Sequence, residues 1–151
     1  YKLDNSITNL AITIGPGSYT ALRVGASFIA GLSQSMKIPI SIISTETIIE
    51  FLYKTESEIG IYFESSNNQK YFSYKKGLRF IHEKIQNDKY LLQKSISCVF
   101  YNHRSPKFID KSIKSQSFSL KKLILRNIQL LEFKKNLIIK PLYISNSDIL
   151  N

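Results

Sequence analysis

Apolar positions in the first third of the chain recur with two periods, and their order predicts alternating strands and helices. Ile7 to Ile14 is a short apolar run with Ile12 and Ile14 on one face and Leu10 and Ala11 adding bulk, which predicts a buried strand. It stops at Gly15-Pro16-Gly17, where glycine permits positive φ and proline cannot continue the pairing. Ser18 offers a helix N-cap hydroxyl, and Tyr19 to Met36 carries proline-free helical spacing. Ile38 to Ile43, opened by Pro39, predicts a second strand. Ser44 and Thr45 are cap candidates for a helix over Glu46 to Lys54, whose Ile48, Ile49, Phe51 and Leu52 form an apolar face. Strand, helix, strand, helix implies parallel pairing.

Beyond residues 55 to 58 the pattern changes, and this is the one domain boundary the sequence proposes, dividing the chain into lobes at 1–56 and 57–151. Ile59 to Glu64 and Tyr71 to Lys75 flank a Ser-Asn-rich stretch whose asparagines tolerate left-handed turns, so a β-hairpin is predicted. Leu78 to Ile85 reads as one short helix, Ile96 to Tyr101 as a strand and Asn102 to Ser117 as polar loop. Leu120, Leu123, Ile124, Ile128 and Leu131 predict a helix from Ser119 to Phe133. Leu137 to Ile144, interrupted by Pro141, reads as an edge strand or a docked tail.

Composition narrows the class. With 151 residues, 43% hydrophobic and 21% charged, the chain has the arithmetic of a globular domain or two small lobes. A single cysteine, Cys98, excludes an internal disulfide and a thiolate zinc cluster, and its apolar strand makes it a core residue. His82 and His103 lack the close spacing of a helical zinc site, and no apolar run approaches the ~20 residues of a membrane span. Tyr1 to Asn5 carries no apolar run of the secretory kind. Charge is lopsided. Lys2, Arg23 and Lys37 balance Asp4, Glu46 and Glu50 in residues 1–50, so the whole formal +10 lies in residues 51–151. Such a surface attracts phosphate, although only 4 of the 21 basic residues are arginine, which argues against a dedicated reader of bases.

Candidate chemistry concentrates at one loop and its helix. Gly15-Pro16-Gly17-Ser18, between a strand and a helix N-terminus, is a candidate anion-binding loop, though it lacks the lysine of a Walker loop and the spacing of a dinucleotide fingerprint. A bare strand-to-helix connection explains it equally well. In the helix, Leu22, Gly25, Ile29, Leu32 and Met36 share one face, Thr20, Arg23, Ser27 and Gln34 form a polar stripe, and Val24, Phe28 and Gly31 lie on a third side. A helix on a sheet needs one apolar face, so the surplus calls for a second covering surface, from the same chain or another. Ala21 with Gly25, and Ala26 with Ala30, are small residues four apart that permit close helix approach. No acidic pair recommends itself as a dyad, and no catalytic or metal-ligating residue is assigned.

The segment Gly15-Pro16-Gly17-Ser18-Tyr19-Thr20-Ala21-Leu22-Arg23-Val24-Gly25 resembles the TsaB (YeaZ) family of bacterial tRNA-modification proteins, departing from its pattern only at Ala21. Gly31-Leu32, Ile38-Pro39, Ser44-Thr45 and Pro141-Leu142-Tyr143-Ile144 are similar to further family positions, whereas Glu64-Ser65-Ser66 replaces its Asp-Ala-Arg and Ser145 stands where arginine is usual. The resemblance implies an actin-like, Hsp70-like (ribonuclease-H-like) α/β fold, incomplete at its N-terminus because the family's opening strands are missing. It implies a cytoplasmic, non-catalytic partner subunit in the complex that adds a threonylcarbamoyl group to the adenosine beside the anticodon of tRNA. Partners implied are a TsaD-like subunit, a TsaE-like ATPase and, through the complex, tRNA, with a homodimer when alone and no membrane. ATP and a metal ion then belong to the partner complex. Pairing with TsaD would run through Leu22, Arg23, Gly25, Ala26, Ile29 and Ala30. Two other readings stand beside it: an ATP-using phosphotransferase or a metallopeptidase of the same fold, and a stand-alone basic RNA-binding module.

Overall fold

A computed structural model describes residues 7–53, 58–65, 68–86, 96–102, 104–107 and 112–144. Strand β1 (Leu10–Thr13) leads through the Gly-Pro-Gly turn into helix α1 (Tyr19–Met36), then β2 (Ile40–Ile43) and α2 (Thr45–Tyr53). β1 and β2 pair in parallel, with Leu10 opposite Ile40 and Thr13 opposite Ile43, as the alternation of elements requires. α1 has the bounds its periodicity predicts and stops at Lys37, which takes a left-handed conformation while its N–H bonds the Ser33 carbonyl. Ser18 is the N-cap residue but makes no side-chain cap bond. Ser44, by contrast, accepts from the Thr47 N–H at 3.2 Å.

The second sheet has five strands in the order β5-β4-β3-β6-β7. These are β3 (Ile59–Glu64), β4 (Lys70–Lys76), β5 (Arg79–Ile85), β6 (Cys98–Tyr101) and β7 (Lys114–Ser117). β3, β4 and β5 form antiparallel hairpins, whereas β6 and β7 run parallel to β3. Three segments differ from the sequence expectation. Leu78 to Ile85 is strand, because Gly77 at φ +61 closes a two-residue turn that pairs Lys76 with Arg79, and ladder bonds to β4 override the helical spacing of its apolar residues. Within the expected loop 102–117, Lys114–Ser117 adds as an edge strand whose side chains are all exposed, so nothing apolar announces it. The predicted helix from Ser119 to Phe133 is shorter: α3 (Leu120–Arg126), with Ser119 accepting from the Lys122 N–H, then a 3-10 turn over Ile128–Leu130. The proposed boundary and the end of the Glu46–Lys54 helix fall partly at 54–57, outside the described residues.

Period-two alternation gives the sheet two buried faces. On one, Ile59, Ile61, Cys98 and Phe100 pack with Ile43 and the α2 residues Ile48, Ile49 and Leu52, and Leu120, Leu123 and Ile124 of α3 close the cluster. On the other, Tyr62, Phe72, Tyr74, Ile85, Ile96 and Val99 pack together. Helix α2 thus ties the first strand-helix repeat to the second sheet. Cys98 is fully buried, as its apolar strand predicts. Gly60 is forced by packing: a Cβ there would overlap the Phe72 ring, with Cε2 only 2.6 Å away, and Phe72 is itself fully buried. Gly60→Ala is expected to lower stability by about 1–3 kcal/mol, read as a reduced urea midpoint with unchanged slope; a midpoint equal to that of the parent would refute this account of the core.

Candidate functional site

The loop after β1 is locked from three directions. Gly15, at φ +122, lies under the chain's C-terminal segment so closely that a Cβ would sit 2.9 Å from the Leu142 carbonyl oxygen. Leu142 N–H donates to the Ile14 carbonyl at 2.7 Å, the buried Thr45 hydroxyl donates to the Gly15 carbonyl, and Tyr71 Oη lies 3.4 Å from the Gly17 carbonyl. The Tyr71 hydroxyl donates to Gln69 Oε1 at 2.6 Å, so its approach to Gly17 is the weaker of its two contacts, and burial raises its pKa. The Gly15–Pro16 peptide is cis. Gly15 and Pro16 are buried, and Gly17 and Ser18 half-buried, so much of the candidate anion loop is committed to contacts within the chain. The stretch read as edge strand or docked tail is a docked tail. Tyr143 packs against Tyr19 with ring centres 4.6 Å apart and the rings tilted by 44°, and the Arg23 guanidinium lies 4.0 Å from the Tyr19 ring centre.

Helix α1 is poorly covered. Of its 18 residues only Ser33 is buried. Among the residues expected at a partner interface, Leu22, Gly25, Ala26, Ile29 and Ala30 are half-buried, and a Cβ on Gly25 would rest 3.8 Å from Ile12 on β1. Arg23 is exposed and engaged with the two tyrosines. The outward arc belongs to Ala21, Val24, Phe28 and Gly31, with Val24 64% and Phe28 65% exposed. The sequence placed Val24, Phe28 and Gly31 on their own side of the helix, and that was the available signal for this strip.

Three residues that sequence reasoning did not connect meet between α2 and the β4–β5 hairpin. His82 Nε2 lies 2.8 Å from Glu46 Oε1, and His82 Nδ1 lies 2.9 Å from Ser73 Oγ. The connectivity is that of a serine, histidine and carboxylate relay, yet Ser73 is fully buried, so its hydroxyl meets no substrate. The group acts as a clamp. Burial pushes the Glu46 carboxyl up, but hydrogen bonds from Ser44, its own backbone N–H and His82 outweigh this and hold it below its ordinary value. Among the described residues no three His, Cys, Asp or Glu side chains stand together, so they offer a metal ion no ligand set. No described helix is long and apolar enough to cross a membrane.

A carboxyl depressed in the fold contributes stability that is present above its unfolded pKa of about 4.3 and lost as pH falls through the folded value. Glu46→Gln is therefore expected to flatten part of the acid fall in urea midpoint between about pH 5 and pH 3. His82→Ala is expected to cost roughly 1–3 kcal/mol at pH 7, because Ser73 and Glu46 lose their partner. Acid profiles that superpose for Glu46→Gln and parent would refute the clamp.

A family model described as "TsaD: tRNA N6-adenosine threonylcarbamoyltransferase" matches residues 2–120. Among solved structures, "YeaZ from Pseudomonas aeruginosa" aligns at a TM-score of 0.52 with 12% identity, over 91% of this chain and 75% of that chain. A protein "with similarity to peptidase YEAZ from Pseudomonas aeruginosa" aligns at 0.53 with 13% identity, over 93% and 75%. No curated protein matches. At such identities the structures establish the fold, and they bear out the expected ribonuclease-H-like α/β architecture. Since the family model covers most of the sequence, a chain with the fold of YeaZ and this strand-loop-helix signature belongs to the TsaD family.

Proposed function

We propose that the chain is a non-catalytic subunit of the machinery that places a threonylcarbamoyl group on tRNA adenosine, and that it pairs with a TsaD-type subunit through α1. The observation that carries this reading is the outward strip of that helix. Val24 and Phe28 stand one turn apart in water, bracketed by Ala21 and Gly31, and a Cβ on Gly31 would meet nothing within 4 Å. An aromatic anchor beside small residues is the composition of a close helix-to-helix contact. The lock on the preceding loop holds the N-terminus of that helix in one orientation and so lowers the ordering cost of docking. ATP and a metal ion are assigned to the partner, whose chemistry this chain supports by position.

Because Val24 and Phe28 are exposed, charging them leaves the fold intact. Val24→Asp with Phe28→Asp is expected to weaken capture of the co-expressed TsaD-type subunit at least tenfold, about 1.4 kcal/mol or more, with the melting curve unchanged. Undiminished capture would overturn the pairing surface. The purified chain alone is expected to turn over no ATP, and turnover would overturn the non-catalytic role in favour of an enzyme of the same fold.

A further inference from the structure

A second feature lies away from α1, at the C-terminal ends of the parallel strands β3 and β6. These strands are neighbours, yet the chain leaves β3 toward β4 on one side and continues from β6 to β7 on the other, so the strand order runs outward from this parallel pair in opposite directions. In α/β sheets such a reversal of strand order opens a crevice beyond the strand ends, and ligands bind there. The crevice is present, with a volume of about 730 Å³, lined by Glu64, Asn68, Lys70, Arg104, Ser105 and Lys107. Ligand clefts typically enclose about 300–1,000 Å³.

Among the described residues of the lining, three cations face one carboxylate, and that carboxylate is held within the chain. Glu64, the last residue of β3, is nearly buried and accepts from Arg104 Nη1 at 2.9 Å through Oε1 and from the Tyr62 hydroxyl at 3.3 Å through Oε2. Arg104 Nη1 also donates to Asn68 Oδ1 at 3.3 Å. Both acceptors thus hold the guanidinium through one nitrogen, while the side chain stays 63% exposed. The fork keeps Nε and Nη2 as further donors. A guanidinium pinned at one corner and open along its other edge is pre-organised for a bidentate oxyanion such as phosphate.

We infer that the cleft of Arg104, Lys107 and Lys70 binds phosphate groups of an RNA strand. The choice of RNA over a free anion rests on the proposed function and on charge: the formal +10 of the chain lies wholly in residues 51–151, the part that builds this sheet. The cleft is also open to solvent along its lysine side, with Lys107, Asn68 and Ser105 exposed, so a continuing chain of phosphates can pass over it.

The test is fluorescence anisotropy of the full chain with an unmodified tRNA transcript across a salt series. Arg104→Glu with Lys107→Glu is expected to weaken binding about tenfold or more and to flatten the salt slope by roughly 1.5, as loss of two phosphate contacts requires. Lys121→Glu with Lys122→Glu on the exposed side of α3 makes the same charge change and is expected to leave affinity within about threefold. Equal weakening by both pairs, or by neither, overturns the site. Saturable binding of inorganic phosphate or adenosine monophosphate that is lost in the cleft variant while tRNA binding persists overturns the RNA assignment and leaves a small-anion pocket. Capture of the TsaD-type subunit, read on the same variants, is expected to be unchanged, so failure of the cleft and failure of the pairing surface give different results.

Discussion

Strand β3 is the constraint on which the rest of the molecule depends. It pairs on both edges, antiparallel to β4 and parallel to β6, and it feeds both cores, sending Ile59 and Ile61 toward α2 and Tyr62 to the opposite face. A strand buried on both faces cannot slip by one residue without turning every side chain to the wrong side, so its register governs the whole sheet. Gly60 tightens this further, since the Phe72 ring from β4 occupies the space any side chain would need. At the strand's end the same register delivers Glu64 to the crevice beside β6, where it holds Arg104.

Helix α2 carries that order into the first strand-helix repeat. Its apolar side packs on β3 and β6, its first residue Thr45 bonds the Gly15 carbonyl, and Glu46 reaches His82 on β5. The Gly-Pro-Gly turn is thereby referenced to the five-stranded sheet although it grows from the two-stranded one. With Leu142 crossing Gly15 and Tyr143 packed against Tyr19, the start of α1 is held on several sides while its outward strip stays bare. Held at its root and poorly covered along its length, the helix contrasts with α2, whose Ile48, Ile49 and Leu52 are buried.

The two proposed surfaces differ in kind. The α1 strip is apolar and directional, suited to shape-specific contact with another protein. The cleft at Glu64 and Arg104 is polar and open, and its attraction for anions reaches outward within the screening length of salt.

Much of the fold was legible along the chain. The bounds of α1, the parallel β1–β2 pair, the hairpin of β3 and β4 and the buried Cys98 all follow from local periodicity, turn residues and apolar runs, which act over a few residues and need no distant partner. The surplus apolar surface of α1 was legible too, since a helical wheel counts faces without coordinates. Tertiary structure decided the remainder. β5 and β7 exist because neighbouring strands offer ladder bonds, against helical spacing in one case and without any apolar signal in the other. The Glu46, His82 and Ser73 clamp and the Glu64–Arg104 pair join residues 36, 9 and 40 positions apart. Long-range hydrogen bonds of this kind leave no periodic trace in sequence, because only the packing of separate elements sets the distance between their ends.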